Sequence, residues 1–177
     1  MKINHRLFYT ISVFFILTNV MLAQAIKTDS IGNFYVIKNQ LLWQKYYSLD
    51  DVNELDEYLK SSHFTSTLDI LNYKTSAQSN LSYLEGVNLP QYTSEGFKAF
   101  IIIDIIQNRY RVTVRDIIFP KYIQTYYTNG FKNEQGGTLD HYILRTADHE
   151  IKRNSGTYNI LETFDNSFDA AFNLNWE

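Results

Sequence analysis

Cysteine is absent from the chain of 177 residues, proline occurs twice and glycine seven times. Without cysteine the chain has no disulfide, no cysteine-ligated metal and no lipid-modified cysteine. The low proline and glycine contents argue against a coil-rich or collagen-like chain. Aromatic residues are abundant instead, with 14 tyrosines and 12 phenylalanines. This composition favours a β-sheet whose stability comes from packing alone.

A basic and then apolar segment begins the chain. Lys2 and Arg6 precede an almost wholly apolar run over residues 7–17, and the small residues Ala23 and Ala25 follow it. This order is typical of a secretory signal peptide, here cleaved after Ala25. The competing interpretation, a membrane anchor, needs roughly 20 uninterrupted apolar residues. We therefore expect an exported protein, periplasmic or extracellular, that is soluble after cleavage.

The charge balance of the remaining chain is acidic. Removal of residues 1–25 takes away Lys2 and Arg6 and no acidic residue, which leaves 14 basic side chains against 19 acidic ones. Nucleic-acid-binding domains are generally basic, so the partner is predicted to be a protein or an envelope component rather than a nucleic acid. The remaining length, about 150 residues, is that of one domain. Residues 26–177 are predicted to form a single α+β domain.

The most regular part of the sequence is a pair of β-branched runs, Gly96 to Ile106 and Arg109 to Phe119. If Gln107-Asn108 is a two-residue turn, the two runs form an antiparallel hairpin. Its buried side then pairs Ile105 with Tyr110, Ile103 with Val112 and Ile101 with Val114.

Its other side forms a candidate interaction face composed of Phe100, Ile102, Asp104, Ile106, Arg109, Arg111 and Arg115. Asp104 and Arg111 are direct cross-strand neighbours on this face, and an exposed pair of this kind contributes about 0–1 kcal/mol. These charges are most simply the solvated side of a sheet. The apolar members would also lie outside unless a partner, a loop or a ligand covers them.

Weaker patterns predict the other elements before residue 121. They are strands at residues 33–38 and 41–48, which form a hairpin or one kinked strand, an amphipathic helix at 50–61, a strand at 64–71, a loop at 72–80 and a strand at 81–89. Pro120 is predicted to end the last strand of the hairpin.

The C-terminal third is predicted as an insertion, residues 121–156, followed by a final helix. Within the insertion we expect an extended segment at 122–127, a loop at 128–138, and a helix, or alternatively a returning strand, at 139–152. The helix at 157–172 is capped by Thr157 and has an apolar stripe formed by Ile160, Leu161, Phe164, Phe168, Ala171 and Phe172. The order strand, helix, four strands, helix predicts an α+β fold with a curved antiparallel sheet and helices packed on one face.

That order, together with the hairpin run Gly96 to Ile118 and the strand Leu41-Leu-Trp-Gln-Lys-Tyr46, resembles a family of secreted proteins of Gram-negative bacteria. This family, a domain of unknown function, is described by a TATA-binding-protein-like (TBP-like) fold. The resemblance covers residues 33–120 and implies a fold and an exported location. It implies no functional residues, and it does not imply DNA binding, because groove binding requires a basic saddle with apolar wedges.

Residues of the types used in catalysis are present without the spacing that catalysis needs. His63, His141 and His149 lack the His-Glu-x-x-His arrangement of a zinc site, and no serine lies in a Gly-x-Ser-x-Gly turn. Gly136-Gly137 lacks the lysine of a phosphate-binding loop. We therefore expect no enzymatic activity, no metal and no cofactor.

Three functions remain open for such a chain. The leading hypothesis is a non-catalytic binding module that uses the candidate interaction face. The alternative is a carrier that holds a small apolar or aromatic molecule between the sheet and the last helix, lined by Phe164, Phe168 and Phe172. A hydrolase is the third. We interpret two aromatic groups as sheet packing in preference to binding surfaces, namely Trp43 with Tyr46 and Tyr47, and Tyr122 with Tyr126 and Tyr127.

Overall fold

The computed structural model describes residues 29–62, 64–65, 73–128 and 131–174. The predicted signal peptide, residues 1–25, lies outside the described residues. The strands are β1 (Ser30–Ile31), β2 (Phe34–Ile37), β3 (Gln40–Ser48), β4 (Lys74–Gln78), β5 (Lys98–Ile106), β6 (Arg109–Thr128) and β7 (Phe131–Thr138). The helices are α1 (Val52–Ser61), α2 (Leu139–Ile143) and α3 (Ser155–Phe172), with a 3-10 turn at Gln91–Thr93.

All the strands belong to one antiparallel sheet. Its order is β1-β2-β3-β6-β5-β4, and β7 pairs with β6 beside this path. The β5–β6 register is the predicted one, with Ile105 opposite Tyr110, Ile103 opposite Val112 and Ile101 opposite Val114. The predicted α+β class with an open antiparallel sheet is confirmed.

One face of the sheet carries the hydrophobic core and lies against the helices. Trp43 of β3 is fully buried between the sheet and α3, where its ring centroid is 5.3 Å from Phe168 and 6.1 Å from Phe172. Phe164 packs edge-on against Phe97 at 5.0 Å. One stripe of α3, repeated every 3.6 residues, therefore packs against one face of the strands, repeated every two residues. The two surfaces form a single aromatic layer.

The helix boundaries follow from local capping. α1 begins after Asp51, whose carboxylate accepts a hydrogen bond from the Asn53 backbone N–H, and it buries Leu55 and Leu59. The helix predicted at 50–61 is thus confirmed. α3 starts two residues before the predicted position, because Asn154 rather than Thr157 is its N-cap. The side-chain oxygen of an N-cap asparagine accepts a hydrogen bond from a backbone N–H of the first turn, and does so as well as that of a threonine.

Strand β6 continues past Pro120, so the prediction that this proline ends the strand is wrong. The register between β6 and β7 shifts between Phe119 and Ile123, which places Pro120 in a bulge where no ladder hydrogen bond is required of it. A Cβ on Gly136 would lie 2.9 Å from the Phe119 carbonyl oxygen. Glycine is therefore needed where β7 approaches this bulge.

Two other predictions around the edges of the sheet are also wrong. Residues 72–80 contain strand β4 rather than only a loop, and residues 81–89 form a mostly irregular segment with one bridge from Ser82 to Phe97. Of the strand predicted at 64–71, Phe64 and Thr65 lie in a turn, and residues 66–71 are outside the described residues. Local composition misled here because β4 gains its strand partner, β5, from more than twenty residues away.

The region between β6 and α3 also differs from its prediction. Residues 131–138 form β7 instead of a loop, and the helix expected at 139–152 ends at Ile143. A bridge between Leu144 and Ile151 then closes a short turn. None of the helices among the described residues is both long and apolar enough to span a membrane.

Candidate functional site

The predicted interaction face lies on the side of the sheet opposite the buried aromatic layer. The pairs on this side are Ile106 with Arg109, Asp104 with Arg111, Ile102 with Thr113, and Phe100 with Arg115. We call this surface the outer face and define it by the seven predicted residues together with Tyr46, Lys74, Lys98 and Thr113. Alternation along each strand positions these side chains, because their neighbours in sequence, such as Ile101 and Val112, are fully buried.

A charge cluster lies at the centre of the outer face. The Arg111 guanidinium donates to Asp104 Oδ2 at 2.7 Å, and Lys74 Nζ lies 3.3 Å from Asp104 Oδ1. Burial by itself would raise the pKa of Asp104, but the hydrogen bonds from Arg111 and Lys74 outweigh it and hold the pKa below its ordinary value. The hydrogen bond with Asp104 and then that with Tyr46 raise the pKa of Arg111. This cluster is ionised and internally satisfied at neutral pH.

The two flanking arginines are arranged differently. The Arg109 guanidinium lies 5.1 Å from the centre of the Tyr46 ring, and the Arg115 guanidinium lies 5.0 Å from the centre of the Phe100 ring. Among the described residues Arg109 has no ion-pair partner. Arg115 Nε is 3.5 Å from Asp116 Oδ2 and makes no hydrogen bond to a described residue. These distances are those of cation–π contacts, which leave the terminal N–H donors of a guanidinium available to a further acceptor.

The outer face is basic although the chain is acidic overall. Five cations project from it, namely Lys74, Lys98, Arg109, Arg111 and Arg115, against Asp104 and the neighbouring Asp116. The chain as a whole has a formal net charge of −3. The sheet therefore concentrates positive charge on one surface, and the local electrostatic potential there is opposite in sign to the net charge of the chain.

Apolar side chains lie between these cations. Phe100, Ile102 and Ile106 are each partly exposed, and Tyr46 is 45% exposed. The helices that cover the opposite side of the sheet do not reach this side. Aromatic residues and arginine, both present on this surface, are enriched at protein interfaces relative to the rest of a protein surface.

Four members of the outer face, namely Tyr46, Lys74, Lys98 and Thr113, are not among the seven predicted residues, and Tyr46 and Lys74 show why. The prediction of sheet packing for this aromatic group is correct for Trp43 and Tyr47, which are buried, but not for Tyr46, which is 45% exposed. The strict alternation of strand β3 would have separated them. Lys74 was missed because β4 was predicted as a loop, and its alternating exposure, with Thr75 and Ala77 turned inward, is the signal that identifies it.

The other polar candidates do not assemble a catalytic or metal centre within the described part of the chain. His141 and His149 are exposed, and His63 lies outside the described residues. No group of three or more metal-ligating side chains occurs among the described residues. Asp148 and Glu150 both bind Arg145 instead, at 2.7 and 2.5 Å.

Two aspartates attach α3 to the inner side of strand β3. Asp165 Oδ1 accepts hydrogen bonds from Trp43 Nε1 at 2.6 Å and from Asn33 Nδ2 at 2.8 Å. Asp169 Oδ1 accepts from Lys45 Nζ at 2.7 Å and from the Tyr47 hydroxyl at 2.9 Å. Burial, followed by the hydrogen bond to Asp169, raises the pKa of Tyr47 far above its ordinary value. These contacts fix the position of the helix.

The phenylalanine stripe of α3, which the carrier alternative requires as a cavity lining, contacts other rings directly. Phe164, Phe168 and Phe172 are at most 1% exposed. The ring centroid of Phe168 lies 6.0 Å from that of Phe64, and the ring centroid of Phe172 lies 5.7 Å from it. The stripe serves as core packing. Of the second aromatic group, Tyr122 is 36% exposed and borders Tyr92, while the side chains of Tyr126 and Tyr127 lie outside the described residues.

Comparison with known proteins gives a single solved structure to report. No protein-family model matches the chain, and no curated protein matches it by sequence. The chain is similar to a TBP-like protein from Parabacteroides distasonis ATCC 8503, with 13% sequence identity and a TM-score of 0.42. The similarity covers 80% of this chain and 97% of the other.

Proposed function

We propose that this protein is a non-catalytic binding module, exported to the periplasm or the exterior, whose outer face docks an acidic surface of another protein. The observation that carries the proposal is the pair of stacked arginines, Arg109 and Arg115, on either side of the satisfied cluster at Asp104. Asp116 Oδ2 lies 3.5 Å from Arg115 Nε without forming a hydrogen bond, so within the described part of the chain neither guanidinium has a carboxylate as its hydrogen-bond acceptor. A carboxylate from a partner would supply it.

The geometry of the two arginines suits a pair of separated carboxylates. Arg109 and Arg115 lie on the same side of one strand, and six residues at about 3.3 Å each place them about 20 Å apart. Ile102 and Thr113 lie between them and can exclude water at the centre of a contact. A rigid arginine loses little conformational freedom on binding, so its bidentate hydrogen bonds contribute more of their energy to affinity.

The non-catalytic part of the proposal is supported by what the polar side chains do. Asp165 and Asp169 anchor a helix, and Asp148 and Glu150 bind Arg145. These groups are engaged in structural contacts. A screen for hydrolysis of ester, peptide, phosphoester and glycoside substrates should give no turnover above a buffer control, and reproducible turnover would refute this part.

The docking surface can be tested by site-specific crosslinking in cells. A photo-reactive phenylalanine analogue replaces Ile102 on the outer face and, as a control, Tyr158, which is 43% exposed on α3. We expect position 102 alone to form a discrete adduct whose crosslinked peptide, identified by mass spectrometry, contains several Asp or Glu residues. Absence of an adduct at 102, or the same adduct from both positions, would contradict the proposal.

Charge reversal then tests the role of the arginines. The double variant Arg109→Glu with Arg115→Glu should weaken binding of the crosslinked partner by about 100-fold, because two charge-assisted contacts become repulsive. The matched control, Lys38→Glu with Lys60→Glu, changes the net charge equally at exposed positions outside the outer face. An equal loss of affinity in both double variants would reveal general charge attraction and refute a specific surface.

The exported location rests on the sequence pattern of residues 1–25. Expression in a Gram-negative host should yield a protein whose N-terminal sequence begins at Ile26 and which is released by osmotic shock. A cytoplasmic product that retains Met1 would refute export without affecting the docking proposal.

A further inference from the structure

A second concave surface lies on the other side of the molecule, between α3 and the irregular segment that follows β4. The groove has a volume of about 340 Å³ and is lined by Tyr83, Glu85, Thr163, Asn166, Ser167 and Ala170. The four helical members are spaced i, i+3, i+4 and i+7, so they form one stripe of α3 beside its buried phenylalanines. A volume of this size lies within the range of small-ligand sites.

Most polar side chains of this groove make no hydrogen bond within the fold as far as the described residues show. Within the described part of the chain, Tyr83, Glu85, Asn166 and Ser167 make no side-chain hydrogen bond, whereas Thr163 donates to the Asn159 carbonyl. By contrast, Asp165 and Asp169 on the same helix both accept hydrogen bonds from strand β3. The groove thus presents an amide, hydroxyls and a carboxylate that line one space and have no hydrogen-bond partner among the described residues.

The shape of the groove is fixed by contacts of its lining and of neighbouring residues. Asn159 Nδ2 donates to the Val87 carbonyl at 3.1 Å, which ties the irregular segment to α3. At Gly86 a Cβ would lie 3.2 Å from the Thr163 methyl group, so the segment approaches the helix closely there. The Tyr83 ring edge abuts Gly96, where a Cβ would lie 3.0 Å from it, yet the residue remains 56% exposed. The ring is therefore positioned while much of its surface faces solvent.

We infer that this groove binds a neutral saccharide unit, independently of the docking function of the outer face. A pyranose ring has an apolar C–H face that can lie against an exposed tyrosine ring, and hydroxyls that both donate and accept hydrogen bonds. Asn166 offers two donors and one acceptor, Ser167 offers a hydroxyl, and Glu85 accepts. A carboxylate in the lining disfavours anionic ligands, and the mixture of donors and acceptors disfavours a purely apolar one.

The inference is tested on the full chain after signal cleavage by saturation-transfer NMR with maltotriose, cellotriose, mannotriose, xylotriose and chitotriose. We expect at least one of these to bind with a Kd of about 1 mM, as is usual for a shallow groove. Tyr83→Ala should weaken that binding about tenfold by removing the stacking surface. Tyr83→Phe should retain most of the affinity, and Asn166→Ala should reduce it several-fold.

Matched variants make the result decisive. Tyr73→Ala removes a tyrosine that is 67% exposed and lies outside the groove, and it should leave saccharide binding unchanged. All these positions are exposed, so thermal unfolding should be unaltered in each variant. The inference is overturned if none of the five saccharides binds, if Tyr83→Ala binds like the wild type, or if Tyr73→Ala causes an equal loss. Each of these results leaves the crosslinking test of the outer face unaffected.

Discussion

The two faces of the central strands are formed by the same segments of chain, but one face is buried and the other is partly exposed. In β5 and β6 the inward residues Ile101, Ile103 and Val112 are fully buried beneath helices, whereas their sequence neighbours Ile102 and Arg111 remain partly exposed. The aromatic residues of the inner face pack against α3. The outer face pairs aromatic rings with guanidinium groups instead. The difference shows that apolar character alone does not identify a buried residue here.

Each face is also stabilised by a different kind of polar contact. On the inner face, aspartates of α3 accept hydrogen bonds from Trp43 and Tyr47, which joins elements more than 120 residues apart in sequence. On the outer face, Asp104 and Arg111 join neighbouring strands of one hairpin. Removal of the inner contacts should therefore destabilise the whole fold, and removal of the outer ones should change binding more than stability.

The largest effect is expected from the aromatic layer. Phe168→Ala removes a ring that contacts Trp43, Phe64 and Phe97, and it should lower the free energy of unfolding by about 3–5 kcal/mol. Urea denaturation followed by tryptophan fluorescence measures this change. Phe168→Leu should cost less because most of the volume remains. A loss below about 1 kcal/mol for the alanine variant would mean that the inner face is not the tightly packed side.

The next effect concerns the attachment of α3 to strand β3. Asp165→Ala leaves the Trp43 indole N–H and the Asn33 amide without their acceptor, which should cost about 1–3 kcal/mol. Urea denaturation again measures the loss. Glu162→Ala, an exposed position one turn earlier on the same helix, is the control and should change stability by less than about 0.5 kcal/mol. Equal effects of the two variants would show that Asp165 makes no specific contribution.

A smaller, pH-dependent effect is expected at the centre of the outer face. The pKa of Asp104 is lower in the folded protein than its ordinary value of 3.8, so ionised Asp104 stabilises the fold above that value. Asp104→Asn should cost about 0.5–1 kcal/mol at neutral pH. The difference between variant and wild type should shrink as the pH falls through the lowered pKa. Thermal unfolding measured from neutral to strongly acidic pH checks this, and a difference that grows on acidification would contradict it.

The smallest effect on stability is expected from the flanking arginines. The Arg109→Glu and Arg115→Glu double variant should unfold within about 0.5 kcal/mol of the wild type, although it loses its partner. Urea denaturation measured beside the binding assay separates the two outcomes. A loss of stability above about 2 kcal/mol would show that the stacked arginines hold the sheet together, and the contrast between the two faces would then fail.

Sequence patterns predicted the central hairpin and both long helices because their signals are local. The alternation from Phe100 to Arg115 with a two-residue turn determines the register without further information. The stripe from Ile160 to Phe172 determines a helix in the same way. The seven residues expected on the outer face all lie there for that reason, although no comparison assigns them a function.

Other features depend on residues distant in sequence, and local patterns could not reveal them. Strand β4 is polar and becomes a strand through its pairing with β5, which is why Lys74 was missed. Pro120 stays within a strand because β6 bulges between Phe119 and Ile123, opposite Gly136 and Gly137 of β7, and the groove beside Tyr83 exists because α3 returns to that segment. The sequence by itself determined which side chains share a face, since that follows from the geometry of a single strand or helix. Tertiary structure decided which face is covered and which polar groups find partners, because both depend on what the rest of the chain brings against them.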